Sequence, residues 1–144
     1  MLKNNFNNNN NGFSLIEIMI AFLILVIAFI GLIQAFPFSQ IMIKTAENSS
    51  KASYLAQDKI EQLLSLGYDN VSIGTIETKQ RLATSSTDYL YYFQRQTTVD
   101  YLDGNLQVSA SSTGMKKIST TVYYTNNISK TEKSYNISTI ISQR

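Results

Sequence analysis

Residues 10–22 read NNGFSLIEIMIAF, and one acid in that stretch stands where chemistry disfavours it. Glu17 opens an apolar run, for Ile18 to Ile33 is sixteen residues with neither a charge nor an amide side chain. The wider segment Phe13 to Ile33 is 21 residues, apolar except for Ser14 and Glu17. At ~1.5 Å per residue a helix of that length reaches about 30 Å, the thickness of a hydrocarbon core. A chain of 144 residues has little with which to wrap so long an all-round apolar helix, so the segment is expected to cross a membrane. A carboxylate at bilayer depth costs on the order of 2.5–3.5 kcal/mol by insertion scales. Glu17 therefore calls for a compensating partner.

Composition narrows the chemistry. The length suits one domain. Net charge is +2, from 12 basic and 10 acidic residues, and no basic cluster exceeds Lys116-Lys117. No nucleic-acid partner is expected from that distribution. The chain has no cysteine and no histidine, which removes disulfides and any thiolate or imidazole metal site. The usual members of nucleophilic and acid–base constellations are missing with them. No catalytic residue, cofactor, metal or small-molecule substrate is expected. Asp100 and Asp103, three apart at a turn, fall short of the six to eight oxygens that calcium takes.

Four zones follow along the chain. Residues 1–12 form a leader in which seven of the first eleven residues are asparagine, a composition expected to stay disordered. Residues 13–33 are the membrane half of a helix. Residues 34–66 continue it as an amphipathic half, with Ala52, Leu55, Ala56, Ile60 and Leu63 recurring at helical spacing. Glu47 and Lys51 form an i,i+4 pair in the favourable order, and Gly67 is a good stop after Leu66. Pro37 removes one backbone donor and should bend or loosen the helix just before it.

Residues 67–144 change alphabet and hold eight of the nine tyrosines. Alternation marks strands in YLYYFQRQTTVDYL (89–102), KISTTVYYT (117–125) and SYNISTIIS (134–142). Ile118, Thr120, Val122 and Tyr124 share one face, and so do Tyr135, Ile137, Thr139 and Ile141. Asp103-Gly104 reads as a type I′ hairpin turn. That turn would set Tyr101 opposite Leu106 and Val99 opposite Val108. A β-rich head of this size is marginal alone, so its sheet is expected to lie against Ala52, Leu55, Ala56 and Leu63. The fold class is α+β: one long N-terminal helix packed on a small antiparallel sheet.

A secretory signal puts its small-residue cleavage site after the apolar stretch, and Gln34-Ala35-Phe36-Pro37 is a poor one. The distinctive junction, Gly12-Phe13, lies before it. Cutting there would discard the leader, keep the helix, and create an amine on Phe13 four residues from Glu17.

GFSLIE at 12–17, followed by the long apolar helix, resembles the type IV prepilin signature. The resemblance implies that a membrane-embedded prepilin peptidase cuts after Gly12 and methylates the new amine of Phe13. It implies that Glu17 is the assembly glutamate, neutralised in a filament by the amine of a neighbouring subunit's Phe13. A competing local role exists, since Glu17 is also i,i+4 from its own Phe13 amine. The helix KASYLAQDKIEQLLSLGYDN (51–70) and the closing strands KKISTTVYY and YNISTIISQR are similar to those of minor pilins of the PilV kind and of the I-type pseudopilin of type II secretion. The absence of a C-terminal cysteine pair favours a minor subunit over the main fibre component.

The family implies other pilin subunits, the peptidase/methyltransferase and the inner membrane as partners. It places the leader in the cytoplasm and the head outside, in a pilus at the cell surface or a periplasmic filament. Lys3 on one side against Lys44 and Lys51 on the other leaves the charge rule near a tie. A type II secretion pseudopilin is the alternative within the family. An extracytoplasmic binding or adhesin module on a signal anchor is the alternative from another class, and it needs neither trimming at Gly12 nor Glu17.

Overall fold

The computed structural model describes residues 12–125 and 130–143. The expected disorder of the leader falls on residues 1–11, outside the described residues. The chain divides between Gln40 and Ile41 into two compact units.

One helix, α1, runs from Leu15 to Leu66. It continues through Pro37, whose ring nitrogen has no proton for the carbonyl of Ile33. In the first unit the helix keeps its apolar side chains in the open: Phe22, Leu23, Ile27 and Phe29 are each 60–67% exposed. In the second unit, helical residues 41–66 become two-faced. Ala52 and Ala56 are completely buried and Ile60 and Leu63 nearly so, while Gln57, Asp58, Glu61 and Gln62 face water. Lys44 and Lys51 both bond Glu47, at 2.8 and 2.7 Å. Their hydrogen bonds and charges, Lys44 first, hold the Glu47 carboxyl down at about 2. Gly67 ends the helix at φ +78°, a conformation that costs a side chain strain.

Five strands follow: β1 Gly74–Arg81, β2 Phe93–Leu102, β3 Val108–Ser109, β4 Met115–Thr125 and β5 Glu132–Ser142. Their order is β1-β2-β4-β5, antiparallel throughout, with β3 paired to the end of β2. Alternation in β4 buries Lys116, Ile118, Thr120, Val122 and Tyr124 toward the helix. The register sets Ile118 beside Thr139, Thr120 beside Ile137 and Val122 beside Tyr135, so the two faces expected from the sequence meet as one.

The core has two centres. Ala52 and Ala56 lie against Phe93, Val122 and Tyr124, with Leu55, Tyr135 and Ile137 at the margin. Ile60 and Leu63 lie against Val71, Val99 and Ile118. Two alanines let the helix approach closely, and each buried Val, Ile, Leu or Phe contributes about 1.5–3 kcal/mol. Both centres fall within the second unit.

Three local expectations change. Residues 89–92 form a 3-10 turn rather than the start of a strand, because the Asp88 carboxylate caps it by accepting from the Leu90 N–H at 2.9 Å. The chain straightens only at Phe93. β1 was not foreseen: GTIETKQR offers one large apolar residue, Ile76, and most of the strand is exposed.

The hairpin after β2 exists, but its register is not that of a two-residue turn. Leu102 faces Val108 and Tyr101 faces Ser109. Neither Asp103 nor Gly104 has the positive φ that a type I′ turn requires; Leu106 has it instead, at +61°. The cause is the Asp103 carboxylate. One of its oxygens accepts the N–H groups of Asn105 and Gln107, both at 2.8 Å, and stabilises a five-residue loop in place of the tight turn.

Candidate processing and assembly site

The site is built on the first turn of α1 and the residues before it. Ser14 is the capping residue by its backbone: its carbonyl accepts the N–H groups of Glu17 at 3.0 Å and Ile18 at 3.2 Å. Gly12, Phe13 and Ser14 precede the helix in extended or irregular backbone and are exposed, Phe13 by 80%. Glu17 is the one acid of the first turn. A carboxylate there is favoured by the helix dipole, typically by 0.3–1 kcal/mol at an exposed helix end in water.

Gly12 is informative for what it lacks. Its φ lies outside the left-handed region, and a Cβ built on it would meet nothing within 4 Å. Neither backbone conformation nor packing among the described residues requires glycine at that position.

The apolar surface beyond Glu17 is continuous. The best 18-residue window of α1 has a mean hydropathy of 3.0 and none of it is buried. Exposed apolar area on this scale marks a surface made for lipid or for other protein. The helix is long and apolar enough to cross a membrane.

The head holds two polar constellations that sequence reasoning did not single out. Arg95 and Glu77 form an ion pair on the helix side of the sheet, Nε to Oε2 at 2.8 Å and Nη2 to Oε1 at 3.3 Å. Nη1 of Arg95 also donates to the Leu55 carbonyl at 3.3 Å. Burial pushes the Glu77 carboxyl up, but the Arg95 hydrogen bond and charge outweigh it and hold the group below its ordinary value. The signal was present in β2, where Phe93, Arg95, Thr97 and Val99 alternate on one face.

Lys116 is the second. It is 6% exposed, donates to the carbonyls of Tyr68 at 2.6 Å and Val71 at 2.9 Å, and lies 4.1 Å from the centre of the Tyr68 ring. It ties the turn after α1 to the sheet. Both constellations are structural. No group of three or more carboxylate, histidine or cysteine residues converges on a metal-sized site among the described residues.

Residues 7–33 match the family model described as the prokaryotic N-terminal methylation motif. The motif is that of a type IV pilin-like or pseudopilin precursor, and with the apolar helix it fits single-pass anchoring in a membrane. No curated protein and no solved structure matches the chain.

Proposed function

We propose that this protein is a structural, non-enzymatic minor subunit of a type IV pilus or related filament. The leader faces the cytoplasm, and prepilin peptidase cuts between Gly12 and Phe13 and methylates the new amine of Phe13. Residues 13–33 anchor the product in the inner membrane with residues 34–144 outside, and Pro37 gives the helix a bend. Glu17 then recruits the subunit into the filament, where the amine of a neighbour's Phe13 neutralises it. The match over residues 7–33 carries this reading. The glycine that the fold does not need and the acid that the membrane penalises both support it. A pseudopilin of type II secretion would use the same N-terminal chemistry, and a secretin-linked operon around the gene would assign the chain there.

The test has two parts. Mass spectrometry of the native protein should find a chain beginning at N-methylated Phe13, and replacing Gly12 with a bulky residue should leave the leader attached. An intact leader in the wild type, or a start after Ala35, refutes the reading. Glu17→Gln keeps shape but removes the charge. It should insert in the membrane at least as well as wild type and be depleted from sheared filaments. Glu61→Gln, on the wet face of the same helix, should assemble normally. Equal incorporation of Glu17→Gln and wild type would confine Glu17 to pairing within its own chain.

A further inference from the structure

One flank of the head turns tyrosine rings to water. Tyr54 is 70% exposed on the helix, and Tyr89 and Tyr92 are 58% and 48% exposed on the 3-10 turn Tyr89–Tyr92. That turn is fixed in place. The Asp88 carboxylate accepts the Leu90 N–H at 2.9 Å, and the Asp88 carbonyl accepts the Tyr91 N–H at 3.1 Å. Tyr91 meets Tyr92 edge to face at 5.6 Å, with the Arg81 guanidinium 3.9 Å from the Tyr91 ring centre. A turn held in this way is preorganised for a ligand, which then does not have to order it on binding.

Two adjoining clefts lie between this turn and the helix, both within the second unit. One, of about 250 Å³, is lined by Ser50, Lys51, Tyr54, Leu55 and Tyr89. The other, of about 90 Å³, shares Lys51 and Tyr89 with it. It adds an apolar wall of Tyr92, Phe93 and Tyr124, and the polar side chains of Asn48 and Thr125. Helical spacing puts Asn48, Lys51 and Leu55 in one row. Among the described residues no hydrogen bond within the chain engages the side chains of Asn48, Ser50 or Thr125. Lys51 is the one cation of these linings, and Glu47 neutralises it: its Nζ donates to Oε1 at 2.7 Å, and it stands 5.5 Å from the centre of the Tyr89 ring.

This combination narrows the chemistry of what can bind. Exposed tyrosines offer a flat apolar face with a polar edge, and a few amides and hydroxyls beside them fix orientation. A pyranose is the complement, with a face of C–H groups to lie on a ring and a rim of hydroxyls for the polar groups. A nucleic-acid strand also stacks, but it needs a track of free cations for its phosphates, which the neutralised Lys51 does not supply. The same ion pair disfavours an acidic sugar. A hydrocarbon chain would bury Asn48 and Thr125 without partners.

We propose that the two clefts bind a neutral glycan carrying an N-acetylated hexosamine. Its ring lies against Tyr54 and Tyr89 in the larger cleft. Its acetamido group enters the smaller one, the methyl against Tyr92 and Phe93 and the amide bonded to Asn48 and Thr125. That substituent is singled out because it joins a methyl, for the apolar wall, to an amide, for the two polar groups. The site uses residues of the head alone, so it stands or falls apart from the filament reading.

The test is a titration of the full-length chain in a polyoxyethylene detergent, which brings no sugar, read by saturation-transfer NMR. The probes are triacetylchitotriose, cellotriose, trigalacturonate and a single-stranded hexanucleotide. Triacetylchitotriose should bind at least tenfold more tightly than the other three, with the strongest transfer at its acetyl methyl groups. Tyr54→Ala and Tyr89→Ala together should weaken it at least tenfold. Tyr54→Ala alone, at the more exposed position, should weaken it by a smaller factor while the thermal unfolding transition stays in place. Asn48→Ala should bring triacetylchitotriose down to the level of cellotriose. No binding of triacetylchitotriose, equal binding of cellotriose, a preference for the galacturonate or the oligonucleotide, or binding indifferent to Tyr54 and Asn48 overturns the proposal.

Discussion

Removing Arg95 should destabilise the head. The guanidinium meets both oxygens of Glu77, at 2.8 and 3.3 Å, and reaches the Leu55 carbonyl of the helix at 3.3 Å. The two side chains are 14% and 10% exposed, so the pair is mostly dehydrated without being sealed. Breaking a fully buried pair costs about 3–5 kcal/mol and an exposed one about 0–1. The intermediate exposure places Arg95→Met at roughly 2–3 kcal/mol, with the Glu77 carboxylate left to the hydroxyl of Thr97 and the side-chain amide of Gln80, both at 3.4 Å. A domain of this size loses roughly 4–8 °C per kcal/mol, so its unfolding midpoint should fall by about 10–20 °C. Glu77→Gln keeps an acceptor and should cost less, about 1–2 kcal/mol.

The sign of the pH dependence follows from the direction of the shift. The folded-state pKa of Glu77 is depressed, so its contribution is complete above the ordinary value of 4.5 and disappears as pH falls through the folded value. Wild type and Glu77→Gln should therefore differ by a constant amount from pH 7 to about 5, and converge below that. Urea unfolding of the full chain in detergent, followed by tyrosine circular dichroism from pH 7 to 3, measures both quantities. A cost for Arg95→Met below about 0.5 kcal/mol, or a difference between wild type and Glu77→Gln that persists unchanged at pH 3, would refute the reasoning.

Two further outcomes are expected. Ala56 is completely buried between helix and sheet, so Ala56→Leu should overpack the contact with Phe93 and Val122 and cost about 1–3 kcal/mol in the same urea titration. Asp103→Ala removes the acceptor for the Asn105 and Gln107 amides; those two amides should exchange faster with deuterium while β4 amides keep their protection, at a global cost near 1 kcal/mol.

The candidate site was legible in the sequence because its logic is local. A glycine, an aromatic, and an acid at the head of a long apolar run are one-dimensional facts, and the energetic penalty on a carboxylate within an apolar segment needs no fold to be stated. The helix and its faces were legible for a related reason. Helical spacing placed Ala52, Ala56, Ile60 and Leu63 on one side, and period-two alternation did the same for β4 and β5, because burial selects side chains at the period of the backbone. What the residues alone left open was decided by contacts distant in sequence. β1 takes its place by pairing with β2, not by its own pattern. Arg95 is a tolerable inward residue only because Glu77 and the Leu55 carbonyl meet it from two other elements. The loop after β2 escaped because a single carboxylate can bond its own backbone in more than one way, and the β2–β3 pairing admits the five-residue form. Which strands end the sheet is a property of strand order, and strand order exists only once the chain has folded.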